Sequence, residues 1–157
     1  MKYSRSVAIA LITTSCLFAG SMQAQGAPSK GEQALKYRKS LYQVMAWNFG
    51  PMGAMAQGKV PYDAAEFAKR ADRVALIAPM LSEAFPAETK GLPNSELKPE
   101  MWANRADFDT KMKDLVDRSA TLATVAKSGD FAKSKAAFFD TANTCKACHD
   151  KFKRKDD

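Results

Sequence analysis

The sequence predicts an all-α protein, an antiparallel four-helix bundle. Three observations lead there. Few runs alternate with period two, and β-branched residues are sparse. Four stretches repeat apolar residues at spacings of three and four. Two short connections and one longer one join them, which suits helices that pack side by side in alternating directions. The chain has 157 residues, 46% hydrophobic and 26% charged, enough for one domain with a core of its own. No low-complexity tract or internal repeat interrupts it.

Residues 1–24 read as a cleaved secretory signal peptide and residues 25–157 as the folded domain. Lys2 and Arg5 form a positive start, Val7 to Gly20 is a short apolar run, and the small and polar residues SMQAQGAPS follow. The apolar run is too short to span a membrane, so no membrane anchor is expected. Cleavage is predicted between Ser21 and Ala27, with Ala24 taken as the boundary. A lipoprotein reading of Cys16 lacks the usual leucine three positions back, where Thr13 stands. Loss of Lys2 and Arg5 takes the 24 Lys+Arg to 22 against 17 Asp+Glu, a net charge near +5. The positive residues are dispersed, which reads as solubility rather than nucleic-acid binding. Export predicts the periplasm.

The first helix is predicted from about residue 31 to residue 55. Arg38, Leu41, Tyr42, Met45, Phe49 and Met52 form its inward stripe. Gly50-Pro51 predicts a kink or an early end. Pro61 is predicted to open the second helix, at a position where its missing N–H costs nothing. Phe67, Ala71, Val74, Ala75 and Ala78 continue that helix. Pro79 is expected to bend or interrupt it before a last turn reaching Phe85.

Residues 86–103, PAETKGLPNSELKPEMWA, hold three prolines and a glycine, so a continuous helix is excluded. A connection this long in a compact domain points to function. The third helix, about 104–127, carries Phe108, Met112, Leu115, Ser119, Leu122 and Ala126 on one face. Gly129 stops it, and Asp130 caps the fourth helix, which runs to about Lys153. The predicted inner face of the fourth helix is Phe131, Phe138, Phe139, Ala142, Cys145, His149 and Phe152.

Chemistry concentrates in CKACH at 145–149, which holds the sole histidine and the two cysteines left after export. A thioredoxin-like dithiol belongs at the start of a helix after a strand, whereas this motif lies late in a helix with no βαβ pattern before it. A structural zinc site needs four ligands at suitable spacing, and only three Cys/His side chains exist. Covalent haem fits. Residues three and four apart share a helix face, so Cys145 and Cys148 line up to bond the two haem vinyl groups. His149 is carried on the same turn to reach the iron. One haem c is therefore the expected cofactor, with His149 as its axial ligand. Lys151, Lys153, Arg154 and Lys155 read as cations that stabilise a helix C-terminus.

At this point the sequence resembles cytochrome c′, the class of c-type cytochromes with a C-terminal haem motif. The resemblance covers the whole mature chain. It rests on KYRKSLYQVMA at 36–46, FGPM at 49–52, VPYDAA at 60–65, PEMW at 99–102 and CKACHDKF at 145–152. It implies a four-helix bundle, a homodimer formed through the first two helices, and five-coordinate haem iron under an apolar pocket. It further implies binding of diatomic gases, nitric oxide and carbon monoxide, and some electron transfer to a redox partner that the sequence leaves unidentified. Residue by residue, Arg38 matches the arginine that pairs with a haem propionate, for which a guanidinium fork is suited. Lys39 and Glu96 match haem-edge positions, Phe85 matches an apolar pocket wall, and Tyr42 stands at the distal position.

Two questions stay open at the sequence level. Tyr42 reads as core filling, as a steric gate, or as a hydroxyl that polarises a bound diatomic. Met45, one turn further, sets up the rival reading of a low-spin six-coordinate electron carrier with methionine on the iron, although core packing also accounts for it. A peroxidase-type enzyme would want a distal acid–base residue, usually histidine, and the only histidine is already assigned to the other side. The expectation is a gas-binding and electron-carrying protein, not an enzyme.

Overall fold

A computed structural model describes residues 27–155. The predicted signal peptide lies outside the described residues. Four long helices make the bundle: α1 Lys30–Ala56, α2 Ala64–Glu83, α4 Arg105–Ala126 and α5 Phe131–Phe152, with a short α3 at Glu100–Ala103.

Local chemistry sets the starts. The Ser29 hydroxyl accepts from the Glu32 N–H while the Glu32 carboxylate accepts from the Ser29 N–H, a reciprocal cap for α1. Asp63 caps α2 by accepting from the Glu66 N–H, and Asp130 caps α5 by accepting from the Lys133 N–H. The prediction that Pro61 opens α2 is corrected: Asp63 does, two residues later, because its carboxylate satisfies an otherwise unpaired N–H. Gly50-Pro51 does not end α1, nor does Pro79 end α2, for each proline lies inside its helix. Packing of long amphipathic faces sustains both helices across the missing hydrogen bonds. Gly58 and Gly129 follow α1 and α4 with positive φ of 70° and 71°, the backbone that glycine adopts without strain.

The core runs through all four long helices, with Met52, Phe67, Val74, Leu81, Phe108, Leu122, Phe138 and Phe152 fully or nearly fully buried. Ser119 is buried as expected for a small residue at a helix contact, its hydroxyl donating to the Leu115 carbonyl at 2.6 Å. The predicted inner face of α5 needs revision. Phe131 and Phe139 are each 39% exposed, and the positions turned inward include Ser134 and Thr141. Phe131 stacks on Tyr62 at the first turn, and Phe139 meets the edge of the buried Phe138. A helix with two adjacent phenylalanines can bury only one of them against a single neighbour. The Ser134 and Thr141 hydroxyls are satisfied, Ser134 by Tyr62 at 3.2 Å and Thr141 by the Ala137 carbonyl at 2.9 Å.

Neighbouring helices pack α1 on α2, α2 on α4 and α4 on α5, whereas α1 and α5 meet over a shorter stretch. The segment 84–103 closes that side. It forms a 3₁₀ turn at Ala87–Thr89 under the start of α1, then an extended stretch at 95–98 that runs along the end of α5.

Candidate haem-binding site

Where α1 and α5 part, a cavity of about 470 Å³ opens, a size typical of small-molecule and cofactor sites. Helix α1 supplies one wall with Leu35, Arg38, Lys39, Tyr42, Gln43 and Ala46. Helix α5 and its exit supply the facing wall with Cys148, His149, Phe152 and Lys153. Phe85 and Phe108 close the apolar end, their rings edge to face at 4.7 Å, and Glu96 and Leu97 flank the mouth.

Of the residues singled out by sequence, Arg38, Lys39, Tyr42, Phe85, Glu96, Cys148 and His149 line this one cavity. Cys145 sits half-buried one turn before Cys148, packed against the core, and it interacts electrostatically with Tyr42. Met45 does not line the cavity; it lies in the core cluster, 8% exposed. The physical reason is that α1 presents two adjoining faces. Leu41, Met45, Asn48 and Met52 face the bundle interior, while Lys39, Tyr42, Gln43 and Ala46 follow the three-and-four spacing on the cavity side.

Gln43 and Ala46 are cavity residues that sequence reasoning missed. Their spacing of four, Gln43 from Lys39 and Ala46 from Tyr42, was the available signal, obscured because Lys39 and Gln43 do not look like an inward face. Phe108 was read only as core, and Leu97 not at all.

Arg38 carries the test of fit. It is 4% exposed, with Nη1 donating to the Ala84 carbonyl at 3.5 Å and Nη2 to the Ser95 hydroxyl at 3.1 Å. Its guanidinium lies over the Phe85 ring, 4.6 Å from the centroid. Burial pulls its pKa below the ordinary arginine value. Among the described residues no carboxylate lies within ion-pair distance of it. A buried cation without an anion is costly, and an acidic group entering the cavity removes that cost. A haem propionate is such a group.

Cavity electrostatics suit a covalently held porphyrin as well. Burial pushes the Cys148 thiol up to about 11 and the Cys145 thiol in the same direction. Both are free thiols, and conversion to thioethers leaves uncharged sulfur in surroundings that disfavour thiolate. His149 lies at the open side of the cavity, exposed to solvent on one side; partial desolvation there, followed by the nearby Lys153 cation, pushes its pKa down, in the direction of the neutral imidazole that ligates metal. Burial first, then proximity to Cys148, raises Tyr42 well above the phenol range, so its hydroxyl stays protonated. Glu96 pairs with Lys153 at 3.2 Å, which holds its carboxylate at the mouth. The side chains present therefore fit haem c: two sulfurs and an imidazole on one helix turn, facing an apolar wall and a buried guanidinium.

Comparison with known proteins agrees. The sequence model of the family described as Cytochrome C′ matches residues 33–153. A curated relative, cytochrome c′ of Rubrivivax gelatinosus, is 37% identical over 126 residues, covering 80% of this chain and 98% of the relative. The solved cytochrome c prime of Shewanella frigidimarina superposes with a TM-score of 0.77 at 40% identity, covering 82% of this chain and all of that one. A nitric oxide complex of a cytochrome c prime variant from Alcaligenes xylosoxidans gives a TM-score of 0.75 at 35% identity, covering 83% of this chain and all of that one. Haem c is the cofactor of these proteins, and Cys145, Cys148 and His149 occupy the Cys-x-x-Cys-His motif. The chain belongs to the cytochrome c′ family.

Proposed function

We propose that this chain is a monohaem cytochrome with five-coordinate iron, held by Cys145, Cys148 and His149 and open to nitric oxide and carbon monoxide on the Tyr42 side. The observation that carries the reading is how α1 divides two of its residues. Tyr42 faces the cavity while Met45 packs in the core, and among the described residues no methionine lines the cavity. Haem bound there supplies an open coordination position for a diatomic ligand and a one-electron couple.

The side chains do the rest. The α5 turn anchors two sulfurs and presents the imidazole from one face. Arg38 neutralises a propionate. Tyr42, partly buried and protonated, lines the cavity where it would exclude water and give way to an entering gas. The nitric oxide complex of the A. xylosoxidans relative supports the choice of ligand.

Electron transfer to a redox partner and a periplasmic setting complete the proposal, as does a homodimer through α1 and α2. No described helix is long and apolar enough to cross a membrane. Tyr37, Val44 and Trp47 lie one above another on the outer face of α1, with Leu76 and Met80 on α2, and Trp47 is 74% exposed. An apolar patch of this kind marks a contact surface.

Visible and EPR spectra of the holoprotein test the reading. High-spin ferric haem that takes up nitric oxide and carbon monoxide once reduced is expected, with faster binding in Tyr42→Ala. Low-spin ferric haem with a sulfur-to-iron charge-transfer band would overturn it, and unchanged binding rates in Tyr42→Ala would reduce that ring to packing. Sedimentation of Trp47→Glu is expected to shift a dimer to monomer.

A further inference from the structure

We infer that Ser95 is a positioning residue for Arg38, setting the direction of its guanidinium and through it the reduction potential of the haem. The inference rests on the haem reading above.

Ser95 is buried, 7% exposed, in the long connection, 57 residues from Arg38 in sequence. Its oxygen accepts from Arg38 Nη2 at 3.1 Å and from the Leu97 N–H at 3.4 Å, so both lone pairs of the hydroxyl are in use. The guanidinium is held on three sides: Ser95 at Nη2, the Ala84 carbonyl at Nη1, and the Phe85 ring beneath. A planar fork held at these points keeps a fixed direction relative to the cavity that Arg38 lines.

Ser95 is itself anchored. The residues that follow it run along the end of α5, where the Lys98 N–H donates to the Phe152 carbonyl at 2.8 Å and the Arg154 N–H to the Glu96 carbonyl at 2.7 Å. The Glu96–Lys153 ion pair and the Leu97–Lys153 bridge tighten that seam. The hydroxyl that aims Arg38 is thus fixed to the helix that carries His149.

Reduction adds one electron to the haem, and a cation directed at its propionate favours the reduced state. A guanidinium free to turn away favours it less. Removing the Ser95 hydroxyl therefore lowers the midpoint potential through Arg38, without removing any charge.

The experiment compares holoproteins of the parent, Ser95→Ala, Ser95→Thr, Arg38→Gln and the Ser95→Ala/Arg38→Gln double variant. Covalent haem content, midpoint potential by spectroelectrochemistry and Tm are read for each. Expected are a lowered potential in Ser95→Ala, a larger fall in Arg38→Gln, recovery in Ser95→Thr, and a double variant matching Arg38→Gln alone. If the glutamine variant does not fold, Arg38→Lys takes its place; it keeps the charge and loses the fork, so its potential should fall by about as much as in Ser95→Ala, with the double variant again matching the single one. A Ser95→Ala protein with lowered Tm but the parent potential would overturn the inference, as would a double variant showing the sum of the two shifts. Parent protein without covalent haem would overturn the haem reading itself, and the inference with it.

Discussion

The two ends of the bundle are both built on phenylalanines, yet one is closed and the other open. At the closed end Phe49 stacks on Phe138 at 4.4 Å, with Phe67 and Tyr62 continuing the cluster and Tyr62 reaching Phe131. At the open end Phe85, Phe108 and Phe152 make a similar chain of edge-to-face contacts, but all three also border the cavity. What differs is the company the rings keep. The closed end faces other apolar side chains. The open end faces a buried guanidinium, the Cys148 thiol and an imidazole across the cavity. The same residue type is therefore core in one place and cofactor wall in the other, and the neighbours decide which.

Truncation at each end breaks or sharpens this contrast most strongly. Phe138→Ala opens a void in packed surroundings and is expected to cost about 3–5 kcal/mol in denaturant unfolding of the holoprotein, with the Soret band unmoved. Phe85→Ala removes a ring that borders the haem cavity and lies under the Arg38 guanidinium. The lost burial is expected to cost about 1.5–3 kcal/mol, and here the Soret band shifts. Equal losses with no spectral change would erase the distinction.

Gly31→Ala is next. A Cβ there would lie 2.2 Å from the Glu88 carbonyl oxygen, so the 3₁₀ turn must move away from α1. The expected loss is about 1–3 kcal/mol by thermal or denaturant unfolding. The lost stability should fall on the 84–103 connection, read as faster hydrogen exchange there than at the closed end.

Asp130→Ala, at the α4–α5 turn, is the smallest. Its carboxyl is held below the usual value by the Lys133 N–H. That stabilisation is present above the unfolded pKa and lost as pH falls through the folded one. The variant should melt below the parent at neutral pH, and the gap should close on acidification. A gap independent of pH would assign the loss to something other than the charged cap.

Much of this was legible in the sequence because one helix turn carries so much of the site. Cys145, Cys148 and His149 are close in sequence, so helical spacing alone places them together. Arg38 and Tyr42 were recoverable from resemblance and from their own spacing. The inward stripe of α1 stands as read, with Arg38, Leu41, Met45 and Met52 buried; what periodicity missed is the flank beside it, because Gln43 does not look like part of a cavity wall. Ser95 was beyond reach for another reason. Its partner lies on a distant helix, and a serine among prolines and a glycine looks like any loop residue until the chain has folded. The prolines at 51 and 79 end neither helix, because tertiary packing outweighs the local rule that expected a bend or a break there.

The 95–98 seam also bears on the order in which the protein becomes whole. Arg38 and Tyr42 belong to the first helix, and Cys148 and His149 to the last. A ribosome makes the two walls of the site at opposite times, separated by nearly the whole domain. The seam pairs Glu96 and Lys98 with residues 152–154, so it cannot close until the final turns of the chain exist. A chain cut short before residue 145 would keep the sequence of three long helices and lose the pocket entirely. In this topology a molecule that ends before residue 145 lacks the Cys-x-x-Cys-His turn and with it one wall of the site.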